Sequence, residues 1–342
     1  MKKTLAVILA LSVLLALSAP ALADDPYAFL EPVELIGADS TGKGAAGQVF
    51  FEYVCQRLEE ITGGKLTVDY HPNSELGGDA DILRQMQYND IQITVCQTAP
   101  LVSFIPEMAV FDLPMLFSRY DGDTIDAVLN GENDFTAVLA ASYEKAGLHL
   151  LGFLQNATYR LTTANTDLSS LDAFKGLQIR TMENRNHMAF WTAIGAEPTP
   201  LAWPEVYISL RNGTIDAEEN AADTCVGANF QEVQKYLACT NHILYCNQIC
   251  INRDAYEELD PAYQAALEKA VEEAIAFMRP RLAEIDLRSR QELLDGGMTL
   301  IEYDAEFYDA VLGLDGVKEL YTKIDDDVNG LGTLLVKELS KG

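Results

Sequence analysis

The sequence predicts an α/β protein of two lobes with a central cleft, on three observations. From Val33 to Met86, strand-like and helix-like patterns alternate in a βαβα rhythm. The chain has 342 residues, more than one core of about 100–200 residues usually organises. A helical pattern from Pro261 to Leu294 would be roughly 50 Å long at 1.5 Å per residue, too long for one small domain, so it is predicted to span both lobes.

The elements follow in order. Lys2 and Lys3, an apolar run from Leu5 to Leu17, and Ala21-Leu22-Ala23 before Asp24 read as a secretory signal peptide over residues 1–23, cleaved after Ala23. No later run is long and apolar enough to cross a bilayer, so direct membrane insertion is not expected. Val33 to Ala38 reads as a strand and Ala45 to Ile61 as an amphipathic helix with Val49, Tyr53, Val54, Leu58 and Ile61 inward; Gly63-Gly64 ends it. Leu66, Val68 and Tyr70 alternate as the next strand, and a helix from Asp79 turns Ile82, Leu83 and Met86 to the core, with Asp79 either an N-cap or a ligand contact. Ile91, Ile93 and Val95 alternate towards Gln97, and Leu148 to Phe153 is another strand.

The second half of the chain carries the informative stretch. In Leu177 to Met182 the period of two puts Arg180 on a face with Gln178 and opposite Ile179, away from the core. His187 to Ile194 reads as a short helix stopped by Gly195; Pro198 and Pro200 hold the chain extended to Trp203, and Pro204 suits the first position of a helix ending at Gly213. Thr214 to Ala217 is a short strand whose end delivers Glu218, Glu219 and Asn220. Ligands of open α/β sheets bind beyond the carboxyl ends of strands, so Arg180 and Asn220 are expected at one mouth. Phe230 to Leu237 reads as a helix and Ile243 to Ile251 as a strand returning to the first lobe. The long helix carries Pro280 as its one interior break, where a kink is expected, and Met298 to Glu302 with two terminal helices would close the second lobe.

Three motifs in this stretch occur in order: Gly176-Leu177-Gln178-Ile179-Arg180, then Pro198-Thr199-Pro200 through Glu205-Val206-Tyr207, then Gly213 through Glu219-Asn220. Together they resemble the signature of the solute receptors of tripartite ATP-independent periplasmic (TRAP) transporters, the DctP family. Leu76-Gly77-Gly78-Asp79 and Phe111-Asp112-Leu113-Pro114-Met115-Leu116-Phe117 also resemble family segments, the latter with a core or hinge-packing role. The resemblance implies a two-lobed periplasmic-binding-protein architecture and a small-molecule organic acid as ligand. It also implies small and large integral membrane subunits as partners, and a periplasmic location. The lobes would comprise residues 24–157 with 246–285, and 158–245 with 286–342. Arg180 would grip a carboxylate through two parallel N–H···O bonds, with Asn220 and Arg160 holding the same group or its neighbour. Trp203 would cover an apolar or ring face, and Asp79 and Gln97 would read hydroxyls from the other lobe. The Asp39-Ser40-Thr41 loop would offer further polar groups, with Ser40 a ligand contact. In the family's receptors for nine-carbon sugar acids a Glu stands where this chain has Gln97. The set leans towards a hydroxylated monocarboxylate such as a uronate or a sialic-acid-like sugar acid. C4-dicarboxylates come second, because Lys43 is the only nearby candidate for another cation.

Composition excludes other classes. The formal net charge is −28, or −30 without Lys2 and Lys3, which opposes nucleic-acid binding. Screening over about 8 Å leaves room for a local cationic clamp. Gly37 to Gly44 nearly spells a phosphate loop but ends in Gly44, without the hydroxyl a Mg²⁺ ligand needs. His71, His149, His187 and His242 are scattered and no CxxC pair occurs, so neither a metal nor a cofactor is expected. The six cysteines of an exported chain either include a disulfide or are buried small hydrophobes; Cys246 and Cys250, about 13 Å apart along one strand, cannot pair. No nucleophile or zincin motif points to an enzyme. A hydrolase of acidic sugars would need paired acids, and Glu218 and Glu219 face opposite ways on a strand.

Overall fold

The computed structural model of the chain describes residues 25–341. The signal segment 1–23 and the cleavage expected after Ala23 lie outside the described residues. In chain order the strands are β1 (Val33–Ala38), β2 (Leu66–His71), β3 (Ile93–Gln97), β4 (Leu148–Leu154), β5 (Leu161–Ala164), β6 (Gln178–Thr181), β7 (Glu197–Pro200), β8 (Ala217–Asn220), β9 (Tyr236–Ala238), β10 (Asn247–Asn252) and β11 (Thr299–Ile301). They form two sheets, one ordered β2-β1-β3-β10-β4 and the other β11-β9-β5-β8-β6-β7. Each sheet is the centre of one lobe.

In the first sheet β1 runs parallel to β2 and β3, while β10 enters antiparallel between β3 and β4 and sets Asn247 opposite Gln97. The chain therefore returns to the first lobe after building the second. In the second sheet β6 is parallel to β8, with Arg180 opposite Glu218, and the two carboxyl ends open on the same side. This register brings Arg180 and Asn220 together.

The helix Ala46–Thr62 buries Phe50, Phe51, Val54 and Leu58, whereas Val49, Tyr53 and Ile61 are only partly covered, so its deepest face is rotated from the expected one. The helix Pro261–Asp295 is continuous through Pro280 and has 35 residues. Its residues from Tyr263 to Leu282 pack on the first lobe, and Leu293 with Leu294 joins the core of the second. One continuous helix thus touches both lobes.

Several local expectations change. Residues 230–237 form a single turn of 3₁₀ helix, Phe230–Glu232, and then β9, because Tyr236 to Ala238 pair with both β5 and β11 and tertiary pairing overrides a helical pattern. Glu218, Glu219 and Asn220 lie within β8 rather than past its end. Trp203, not Pro204, is the first residue of its helix, Trp203–Asn212. Three terminal helices follow β11, not two. The last, Leu331–Leu339, packs Leu331, Leu335 and Leu339 with Phe135 and Leu139, residues of the first lobe. The six cysteines are free; five are buried and Cys55 is half-buried.

Candidate functional site

Arg180 is the third of the four residues of β6 and is 2% exposed. Its Nε and Nη2 donate to the carbonyl of Leu201 at 3.0 and 2.8 Å, and its guanidinium carbon lies 5.6 Å from the centre of the Trp203 ring. Pro200 and Pro204 hold the loop that supplies both contacts. One edge of the fork is therefore fixed. The opposite edge carries Nη1, which is buried and has no hydrogen-bond partner. Burial holds this guanidinium below the usual arginine value in spite of Glu218 and Glu219. A desolvated cation with an open donor edge is built to receive an anion.

Arg180 lines a small inner chamber of about 20 Å³ together with Ser40, Thr41, Asp79, Cys96, Gln97, Met182, Trp203, Asn220 and Thr224. Six of the seven residues singled out from the sequence meet here: Ser40, Asp79, Gln97, Arg180, Trp203 and Asn220. The lobes touch across it, with Gln97 Nε2 3.5 Å from Asn220 Oδ1. The chamber has room for little more than ordered water and the lobes are in contact around it, so this is a closed state that must part to admit an acid. Ser40 donates its hydroxyl to the Asp79 carboxylate. Asp79 is not an N-cap, since Gly78 occupies that position; burial raises its carboxyl above the usual range, with Ser40 and Arg180 opposing. An outer chamber of about 330 Å³ shares Asp79, Arg180, Met182 and Trp203 with the inner one and continues to Phe104, Glu183 and Arg84.

The seventh residue, Arg160, lies behind the chamber. Its Nε and Nη2 engage the Glu219 carboxylate, Nη2 also donates to the Glu219 carbonyl at 2.7 Å, and Nη1 donates to Gln97 Oε1. All three nitrogens are committed, because β5 and β8 are antiparallel neighbours that set Glu219 beside the arginine. It reaches the chamber through Gln97. Asp39 differs from expectation as well, accepting from the Tyr70 hydroxyl and from the Thr41 amide at 3.0 Å; burial lifts its carboxyl to about 7. It shapes the loop and leaves Ser40 and Thr41 to face the chamber.

Behind Arg160 the structure gathers residues whose sequence spacing gave no sign of a cluster. Glu219 accepts from His242 Nε2 at 3.1 Å, and His187 Nδ1 lies 3.5 Å from it. On its other side His187 Nε2 meets Asp112 of the first lobe at 3.0 Å, and Asn184 and Asn186 each donate to Asp112 at 2.9 Å. Burial raises Glu219 but Arg160 and the two histidines outweigh it, holding the carboxyl well below its usual value. Burial likewise lowers His187, yet Asp112 and Glu219 lift it to about 9; His242 is lowered by burial. Glu218 turns the other way, to Thr163 at 3.0 Å and Cys225 at 3.4 Å, and burial pushes it up to about 7.

His187 implies a pH dependence. Its folded value lies above its unfolded one of about 6.5, so the stabilisation is full below that pH and is lost as pH rises through about 9. Urea unfolding between pH 6.5 and 9.5 should show falling stability, and His187→Gln should flatten that slope relative to the parent. An equal slope in both proteins would remove His187 as its source.

Comparison with known proteins places this geometry. A family model described as DctP, bacterial extracellular solute-binding protein, family 7, matches residues 41–321. The chain belongs to this family. Among DctP relatives, the C4-dicarboxylate-binding periplasmic protein of Rhodobacter capsulatus is 30% identical over 292 residues, 83% of this chain and 82% of that one. The sialic acid-binding periplasmic protein of Vibrio cholerae is 31% identical over 216 residues, 63% of this chain and 66% of that one. The sugar acid binding protein of Advenella mimigardefordensis, solved with galactonate, has a TM-score of 0.84 at 22% identity, covering 91% of this chain and 99% of that one. The DctP fold thus extends over nearly all the described residues. Among them no helix is long and apolar enough to cross a membrane.

Proposed function

We propose that the chain is the extracytoplasmic receptor of a TRAP-type transporter. In this reading it captures a hydroxylated monocarboxylate, a uronate or sialic-acid-like sugar acid, and delivers it to small and large integral membrane subunits. The observation that carries this is the buried, unpartnered Nη1 of Arg180, on a residue that lines a chamber together with the hydroxyls of Ser40, Thr41 and Thr224, the amides of Gln97 and Asn220 and the carboxyl of Asp79. A carboxylate bound there takes two parallel N–H···O bonds from Nη1 and the remaining hydrogen of Nη2, with Asn220 beside it. Ser40, Thr41, Asp79 and Gln97 would read hydroxyls on the rest of the ligand and Trp203 would offer a ring face, a reading supported by their shared chamber. Arg160 acts one step back by orienting Gln97. The residue 1–23 segment supports export to the periplasm. A receptor rather than a hydrolase is favoured because Glu218 and Glu219 turn to different partners and do not flank a common bond.

A second reading has its own observation. Arg84 lines the outer chamber, beside Asp81 at 2.9 Å, and would be the second cation that a C4-dicarboxylate needs. The R. capsulatus relative is named for that ligand class.

A thermal-shift panel on residues 24–342 tests both, using uronates, sialic acid and C4-dicarboxylates on protein unfolded and refolded to strip bound ligand. An acid at 100 times its Kd adds about 2.7 kcal/mol of stability, a visible rise in the midpoint. A rise with the sugar acids is expected. A rise with succinate or malate alone would favour the Arg84 reading, and no rise with any carboxylate would sink both.

A further inference from the structure

The lobes also meet just outside the inner chamber, beside its lining residue Thr224, where the helix Ala46–Thr62 of the first lobe begins. Its N-cap residue is Ala45, which has extended backbone angles and no side-chain acceptor to offer. The first amide of that helix, Ala46 N–H, is instead satisfied from the other lobe: Asp223 Oδ2 accepts it at 2.7 Å across 177 residues of sequence. Asp223 belongs to the short helix Ala222–Gly227 that follows β8, and its other oxygen accepts the Thr224 amide at 2.9 Å, which fixes the carboxylate's direction. The neighbouring Asp286 of the long helix is paired with Arg290 at 2.8 Å. Backbones approach at the same seam, since a Cβ on Gly227 would lie 3.3 Å from the Lys43 carbonyl oxygen. Asp223 lines neither ligand chamber.

We propose that Asp223 is a closure latch, a carboxylate of the second lobe that caps a helix of the first only while the lobes are together. It thereby sets ligand affinity without touching ligand. The proposal rests on the receptor reading, in which the lobes close over a bound acid. When they part, the first turn of the helix loses its acceptor and the carboxylate leaves the positive end of the helix dipole. Both changes favour the closed state. Because apparent affinity scales with the fraction of receptor able to close, a latch that deepens closure tightens binding.

Asp223→Ala is therefore expected to raise the Kd for the acid found in the thermal-shift panel by roughly tenfold, mainly through faster release. The unfolding midpoint of the ligand-free protein should fall only by what the local Thr224 contact contributes. Asp223→Asn keeps a carbonyl oxygen for Ala46 N–H without the charge and should fall between the two. Small-angle scattering at a ligand concentration that saturates the parent should show a larger radius of gyration for Asp223→Ala. Equal Kd values in parent and Asp223→Ala would overturn the latch while leaving the receptor reading intact. So would an affinity loss matched by an equal loss of ligand-free stability, which would make Asp223 a structural residue. A parent protein that binds no carboxylate would overturn the receptor reading, and the latch with it.

Discussion

Arg180→Ala is expected to abolish high-affinity capture, weakening binding by about 3 kcal/mol or more, a factor of roughly a hundred. The size follows from stranding: a carboxylate brought into the closed chamber would lose its charged partner and stay desolvated. Ligand-free stability should change little, because the guanidinium is itself held in a poor environment, with Nη1 unpartnered and burial lowering its pKa. Arg180→Lys keeps a charge but neither the Leu201 anchor geometry nor the bidentate edge, so it should recover only part of the loss. Isothermal titration with the ligand from the thermal-shift panel is the measurement. Unchanged affinity in Arg180→Ala would remove Arg180 as the anchor.

The largest effect on folding should come from Glu219→Gln. Glu219 is fully buried, and its carboxylate answers Arg160, His187 and His242 together. Removing its charge leaves Arg160 as a buried cation without a counter-charge, a loss of roughly 3–5 kcal/mol by analogy with other broken buried pairs. Urea unfolding at neutral pH reads it directly. A shift below about 1 kcal/mol would mean that water or Glu218 takes over the pairing. Because Arg160 also positions Gln97, the surviving folded fraction should bind ligand more weakly, though less so than Arg180→Ala.

The wall of the inner chamber was legible in the sequence because its residues sit at element ends that punctuation marks. Period two fixed the face of Arg180, prolines flanked Trp203, and Gly213 preceded the strand bearing Asn220. The support behind that wall was not legible. Asp112, His187, Glu219 and His242 converge from four separate segments, and no local pattern connects residues brought together by β5–β8 pairing and by contact between lobes. For Arg160 the resemblance implied a hold on the ligand's carboxylate, whereas the structure commits its nitrogens to the cross-strand neighbour Glu219 and to Gln97. No sequence pattern singled out Arg84, and the outer chamber gives it a place in the cleft. Residues 230–237 were misread because the apolar spacing of Phe230, Val233 and Leu237 suits a helix, while the vacant sheet edge beside β5 demands a strand.

The free thiols have a practical consequence for anyone handling this protein. Five are sealed in the core, and burial pushes even the half-buried Cys55 up to about 12, so the native fold offers almost no thiolate to an oxidant. Denaturation removes that protection from all six at once, each then titrating near 8.5. Chains unfolded in air can cross-link at random faster than they refold, turning a reversible transition into a one-way loss. Stripping bound acid by unfolding therefore calls for reductant throughout, and a melting curve recorded without it would report a rate of inactivation instead of an equilibrium.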